Sequence, residues 1–164
     1  SRRKGIVDFV EVAKRLPEYK FIWFGSSPLA AATPDARKAA ETKLPNLTFA
    51  GHVDQKFIRE ALGGCDLFLF PTLEETEGIP IIEACAMGTP ILVRDIEIFK
   101  DWFKENEDVY KARNVAEFVS KTKQIVEKEL PSLAENEKKK AKEKDIRTVG
   151  KQLKEVYTEV LKQK

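Results

Sequence analysis

The sequence predicts an α/β domain, a Rossmann-like parallel sheet with helices on both faces and a helical tail at the C-terminus. Three observations carry that reading. Segments with apolar residues at helical spacing alternate with short strand-like runs. Runs such as FIWF at 21–24 and LFLF at 67–70 have no polar face, as strands covered on both sides require. The strand-like runs at 21–24 and 47–50 each stop at a glycine, Gly25 and Gly51.

The first helix is placed at 5–16, where Ile6, Phe9, Val10, Ala13 and Leu16 share one face and Pro17 ends it. A buried strand follows at 21–24, then a small-residue loop at 26–34 with two prolines, a helix at 35–42 and a second strand at 47–50. A short amphipathic helix at 55–62, through Phe57, Ile58 and Leu62, is broken by Gly63-Gly64. The run at 66–70 is the most apolar strand and is expected at the sheet centre. A helix at 79–87 opens with Pro80 in its first turn and closes at Gly88, the asymmetry expected of helix ends. Residues 90–94 are the next strand. A helix near 97–103, a short strand near 108–110 and a helix from Asn114 as N-cap to about 128 complete the α/β part, residues 1–130.

Residues 131–164 form the tail. Its stretch 135–144 is so polar that a solvated helix or loose loop is expected. The last segment, 145–161, repeats Ile146, Val149, Leu153, Val156, Tyr157, Val160 and Leu161 on one face and needs something to pack against. At the other end, the basic cluster SRRKG reads as a loop after a strand that the sequence does not contain, so a piece of a longer chain is expected.

Composition narrows the function. The 164 residues, 42% of them apolar, suffice for a core of ordinary size. Twenty-nine basic and 27 acidic residues nearly cancel, which argues against a nucleic-acid binder held by a strongly basic surface. Apolar runs fall well short of the roughly 20 residues that span a bilayer. Cys65 and Cys85 lie in apolar surroundings without metal or redox spacing, and His52 is the one histidine. Neither a zinc site nor a disulfide scaffold is expected, and a reducing cytosol is the natural home. From Ser132 the tail carries ten basic and six acidic residues. Such a segment would suit an anionic membrane surface, although interleaved Glu and Lys favour a solvated helix.

In open α/β sheets ligands sit beyond the carboxyl ends of the strands. That edge collects the Gly25 turn, the Gly51-His52-Val53 turn, the 72–78 loop and the Lys4 turn. Gly78 and Ile79 open a helix whose free N–H groups suit phosphate or sugar oxygens. The sharper signal is Glu75 and Glu83, eight positions apart. Glu83 lies among Ile79, Ile81, Ile82, Ala84 and Ala86 and needs a partner, because an unpaired buried charge is costly. Ribose hydroxyls are one candidate and Arg94 is the other. Glu75 accepts from sugar hydroxyls in one reading and is a solvated loop acid in the other. A structural role explains His52, Cys85, Trp23, Phe24, Phe68 and Phe70 best. Phe99, Trp102 and Phe103 are open between the edge of the cleft and the face toward another domain.

The stretch FLFPTLEETEGIPIIEACAMGTPILVRD at 68–95, with Lys4-Gly5, Phe24-Gly25, Phe49-Ala-Gly51 and Cys65-Asp66 in support, resembles the E-x7-E region of the family-four retaining glycosyltransferases. The resemblance spans about 4–95 and implies the C-terminal, donor-binding half of a GT-B enzyme. Within the family, EETEG at 74–78 and VRDI at 93–96 are most similar to bacterial diacylglycerol glucosyltransferases. The resemblance implies UDP-glucose or another UDP-sugar as donor and a lipid acceptor reached through an N-terminal domain. It assigns Lys4, assisted by Arg2 or Arg3, to the diphosphate and Glu83 to the ribose. Glu75 would hold the transferred sugar, with the N–H groups of Gly78 and Ile79 beside it, and the turn at Gly51–Val53 would face the uracil through its backbone. No metal or cofactor is implied, because a lysine and a helix N-terminus can offset the charge of the leaving UDP. The expected location is cytoplasmic, peripheral at the inner face of the membrane. Alone, this half should bind donor and transfer little sugar. The alternatives are a noncatalytic α/β interaction module and half of a nucleotide-sugar epimerase.

Overall fold

A computed structural model describes residues 2–25 and 32–162, so most of the predicted loop at 26–34 lies outside the described residues. A single turn of 3-10 helix, Arg2–Lys4, leads into α1 (Ile6–Arg15) and β1 (Phe21–Phe24). Then come α2 (Pro34–Ala40), β2 (Leu47–Gly51), α3 (Gln55–Gly64), β3 (Phe68–Phe70), α4 (Ile79–Met87) and β4 (Ile91–Arg94). The remaining elements are α5 (Ile98–Trp102), β5 (Tyr110–Ala112), α6 (Val115–Val126), α7 (Ala134–Glu143) and α8 (Ile146–Lys162). None of the described helices is long and apolar enough to cross a membrane.

Among the described residues the named strands pair in parallel, in two ladders: β1 with β2, and β3-β4-β5. Strand β4 shows how the ladder is covered on both faces. Its Leu92 joins the core built by α1, α2 and α6, while Ile91 and Val93 join the core built by α3, α4 and α5. This is the alternation of a strand between two helical layers.

Three expectations are corrected here. The most apolar run does not sit at the centre: β3 is the edge of its ladder, its residues are half-buried, and β4 is the central, wholly buried strand. The polar stretch at 135–144 is a helix, one of its two expected forms, and the correction concerns its solvation alone. It folds as α7 and packs on α4, burying Leu133 and Glu137. Phe99 and Phe103 are buried rather than at a cleft edge, and Phe99 sits between the rings of Phe70 and Phe103. Trp102 is half-buried, with the Lys144 ammonium 4.8 Å from its ring centroid.

The caps explain where helices begin. Asn114 Oδ1 accepts from the Glu117 amide at 3.0 Å, and Glu117 accepts in return from the Arg113 amide at 2.9 Å, so α6 starts on a reciprocal cap. Helix α8 differs from the others. Its apolar face, from Ile146 to Leu161, is exposed along its whole length.

Candidate functional site

The loop between β3 and α4 is tied to the start of the chain by main-chain contacts. The Leu73 amide donates to the Arg3 carbonyl at 2.8 Å, and the Thr72 hydroxyl, wholly buried, lies 3.1 Å from the same oxygen and 3.0 Å from the Glu74 carbonyl. Gly5, at φ 77°, makes this approach feasible, because a Cβ there would come within 2.0 Å of the Pro71 carbonyl oxygen. Together these contacts set Lys4 beside the loop.

Lys4 Nζ donates to Glu75 Oε2 at 2.6 Å, and Glu75 Oε1 accepts from the Thr76 amide at 3.0 Å. The Glu75 side chain is 8% exposed and that of Lys4 36%. Burial pushes the Glu75 carboxyl up, but the hydrogen bonds from Lys4 and Thr76 and the charges of Lys4 and Arg3 outweigh it. The group lies below its ordinary value and is a carboxylate at neutral pH. Lys4 Nζ also lies 5.9 Å from the Phe70 ring centroid. An ammonium has three donors, so the Glu75 bond leaves two for ligand oxygens.

Glu75 lies three residues before Gly78, the N-cap of α4. Gly78 holds φ 66° as the N-cap, and no side chain caps the first turn. A Cβ at Gly78 would press on Ile81 and Phe99 at 3.2 and 3.3 Å. Ile79 is 58% exposed, so the helix mouth with its N–H groups opens outward.

Glu83 is half-buried one turn into α4, and its Oε1 accepts from Gln55 Nε2 at 2.6 Å. Arg94 is not its partner: the guanidinium pairs with Asp8 and donates to the carbonyls of Pro71 and Arg113. Gln55 begins α3 just after the Gly51–Val53 turn, so this bond joins the end of β2 to α4. Val53 is half-buried at that turn, and the Gly25 amide donates to the Gly51 carbonyl at 2.7 Å, tying the two glycine strand ends together.

The chain thus brings Lys4, Glu75, Gly78 and Ile79 together and sets Glu83 further along the same helix. Gly25 and Val53 stand at the β1–β2 end of the edge. Arg3 contributes its carbonyl to the loop and its charge to Glu75, whereas Arg2 pairs with Asp35 at 3.2 Å. Sequence reasoning missed Gln55 and Thr72. Gln55 stands 28 residues from Glu83 and Thr72 69 from Arg3, separations that carry no local pattern. His52 is exposed, and so is Cys65, which the apolar run beside it had suggested was enclosed. Cys85 is buried, and burial pushes its thiol up to about 12, the unreactive state of a packing residue. Among the described residues no group of three or more His, Cys, Asp or Glu side chains is placed to hold a metal ion.

Comparison with known proteins adds the following. Residues 1–144 match the family described as glycosyl transferases group 1. The processive diacylglycerol alpha-glucosyltransferase of Acholeplasma laidlawii is 39% identical over 160 residues, covering 98% of this chain and 48% of that protein. The alpha-galactosylglucosyldiacylglycerol synthase of Streptococcus pneumoniae is 35% identical over 103 residues, covering 61% of this chain and 28% of that protein. The chain therefore spans about half the length of the first relative. In structure, HepE of Anabaena, solved with UDP and glucose, superposes with a TM-score of 0.83 at 17% identity, covering 97% of this chain and 46% of that one. That likeness is one of fold.

Proposed function

The chain belongs to the group 1 glycosyl transferases, and from that premise we propose that it is the donor-binding half of a retaining enzyme that moves glucose from UDP-glucose to a lipid acceptor such as diacylglycerol. The observation that carries this reading is the Lys4–Glu75 pair at the open mouth of α4, with Glu83 eight residues beyond Glu75 on the same helix. The two relatives named above support a glycolipid product.

Each residue then has a task that its position allows. Lys4 spends its two free N–H donors on the diphosphate and offsets charge that grows as UDP leaves. Arg3 adds charge nearby. Glu75, anionic and already fixed by the Thr76 amide, accepts from hydroxyls of the transferred sugar while the Gly78 and Ile79 amides address neighbouring oxygens. Glu83 accepts from ribose hydroxyls. The turns at Gly25 and Gly51–Val53 border the base. With an ammonium and a helix N-terminus supplying positive charge, the reaction proceeds without a metal or cofactor. Retention needs no glutamate nucleophile here. Attack on the same face by the acceptor hydroxyl fits a site in which Glu75 is occupied in holding the sugar.

The acceptor and its base come from a second domain, as the length of the relatives suggests, so this half alone binds donor and transfers little. A lipid acceptor places the enzyme at the inner face of the cell membrane. The exposed apolar face of α8 and the net positive tail favour contact there or with the second domain.

Calorimetric titration with UDP and UDP-glucose tests the reading, on the chain itself and on Glu83→Gln and Lys4→Ala. Saturable binding that weakens about ten-fold or more in each variant is expected, from one lost charge-assisted hydrogen bond in each. A folded chain that binds neither ligand would overturn it.

A further inference from the structure

Glu83 is held through a single side-chain bond, from Gln55 Nε2 to its Oε1 at 2.6 Å. Among the described residues its Oε2 accepts from no other side chain. A carboxylate offers about four acceptor sites on its two oxygens, so one bond fixes the group and leaves most of its capacity for hydroxyls. The donor is a neutral amide. A lysine or arginine in its place would set a competing charge on the acceptor, whereas the amide orients it without one.

The backbone that carries Gln55 is itself fixed relative to Glu83. Gln55 opens α3, and α3 is seated on α4 through Leu62 and Ile58, which share a core with Ile81, Ala84 and Cys85. At the far end of α3 the Thr89 hydroxyl, just past α4, donates to the Leu62 carbonyl at 2.5 Å. There the helices approach so closely that a Cβ at Gly63 would lie 2.8 Å from the Met87 methyl. Gln55, by contrast, is exposed, so packing does not account for its side chain. Its bond crosses from the first turn of α3 to the outward face of α4, beside the Gly51–Val53 turn.

We infer that Gln55 is a positioning residue of the ribose subsite: it holds Glu83 in the orientation that meets both ribose hydroxyls, and preference for a ribonucleotide over its 2′-deoxy counterpart passes through this bond. The inference deepens the reading of Glu83 as the ribose acceptor and rests on it. Without Gln55 the ligand must itself order the Glu83 side chain, and that cost falls on the bonds to the hydroxyls. A site that accepts from two hydroxyls discriminates against a ligand that has lost one, provided the acceptor stands ready for both.

Calorimetric titration with UDP and with 2′-deoxy-UDP tests it, on the chain itself and on Gln55→Leu, Gln55→Glu, Glu83→Ala and the double variant Gln55→Leu/Glu83→Ala. The chain should prefer UDP about five-fold or more, and Gln55→Leu should lose about five-fold in UDP affinity and little in 2′-deoxy-UDP affinity, the scale of one net hydrogen bond. Gln55→Glu keeps the shape and suits a helix N-terminus but lacks the donor, so it should lose at least as much. In the Glu83→Ala background Gln55→Leu should cost nothing further, because the group it positions is gone. Equal weakening of both nucleotides, or an unchanged preference in folded Gln55→Leu, would overturn the inference, while a loss of UDP affinity in Glu83→Ala would leave the donor reading standing. A chain that binds no UDP, or binds both nucleotides alike, would overturn the donor reading and this inference with it.

Discussion

The Arg94 guanidinium, 7% exposed at the end of β4, is held by the carboxylate of Asp8 on α1 and by the carbonyls of Pro71 and Arg113. Its plane also lies 5.2 Å from the Phe118 ring centroid. One side chain thereby joins α1, which follows the Lys4 turn, the β3 exit that leads to the Glu75 loop, the β5 exit and α6. Arg94→Ala should cost about 3 kcal/mol, because Asp8 and two carbonyls lose their donor together. Urea unfolding measures this, and a loss within 0.5 kcal/mol of zero, on the order of a surface substitution, would contradict the assignment.

Gly5→Ala should damage the donor site and the fold together. The added methyl would meet the Pro71 carbonyl at 2.0 Å on a backbone that already holds φ 77°. A cost of roughly 2 kcal/mol or more is expected from strain and displacement. Lys4 then moves off Glu75, so UDP affinity should fall in parallel with Tm. Retention of wild-type affinity by a destabilised variant would separate the Gly5 contact from the placement of Lys4.

Glu137 gives a pH dependence with a definite sign. The residue is 1% exposed, neither carboxylate oxygen has a partner in good hydrogen-bond geometry, and burial, outweighing the Ile91 amide and the Lys138 charge, pushes the group from 4.5 up to about 7. Between those values the unfolded chain releases the proton while the folded chain keeps it, so stability is full below 4.5 and falls as pH rises to about 7. The loss attributable to this group is at most about 3 kcal/mol. In Glu137→Gln that decline should disappear, so the variant gains on the wild type as pH goes from 5 to 7.5 in urea titrations. Parallel profiles for the two proteins would show that Glu137 is not the group responsible.

Ending the chain at residue 145 should leave the rest intact. No residue of α8 is buried, and its apolar residues from Ile146 to Leu161 are exposed. Tm should move by less than about 2 °C, equivalent to a few tenths of a kcal/mol for a domain this size, with UDP binding unchanged. A fall of many degrees would mean that α8 packs on the domain in solution.

Much of the architecture was legible because it is written locally. The run FIWF, short and bounded by Pro17 and Gly25, reads as a strand from its own neighbourhood, Pro80 and Gly88 punctuate α4, and Asn114 announces α6. What failed depended on distant partners. Phe68, Leu69 and Phe70 look central by apolarity alone, but rank in a sheet is decided by which strands pair, and β3 pairs on one side. Glu137 sits in a run of Glu and Lys that reads as solvated, and packing of α7 on α4 overrides it. In the site, the spacing of Glu75 and Glu83 was visible, while Gln55 as the partner of Glu83 and Thr72 as the neighbour of Arg3 were not. Side-chain partners tens of residues apart leave no trace in periodicity.

The close approach of Gly5 to Pro71 has a bearing on how this protein can change over generations. Lys4 is aimed by main-chain atoms, through Gly5, Pro71, Leu73 and Arg3, so the aim depends on few side-chain identities. Outer positions of α1 and the loop can drift without turning the ammonium away from its target. The same arrangement makes Gly5 a point of fragility, a site where almost any exchange is punished, set in a region otherwise tolerant of variation.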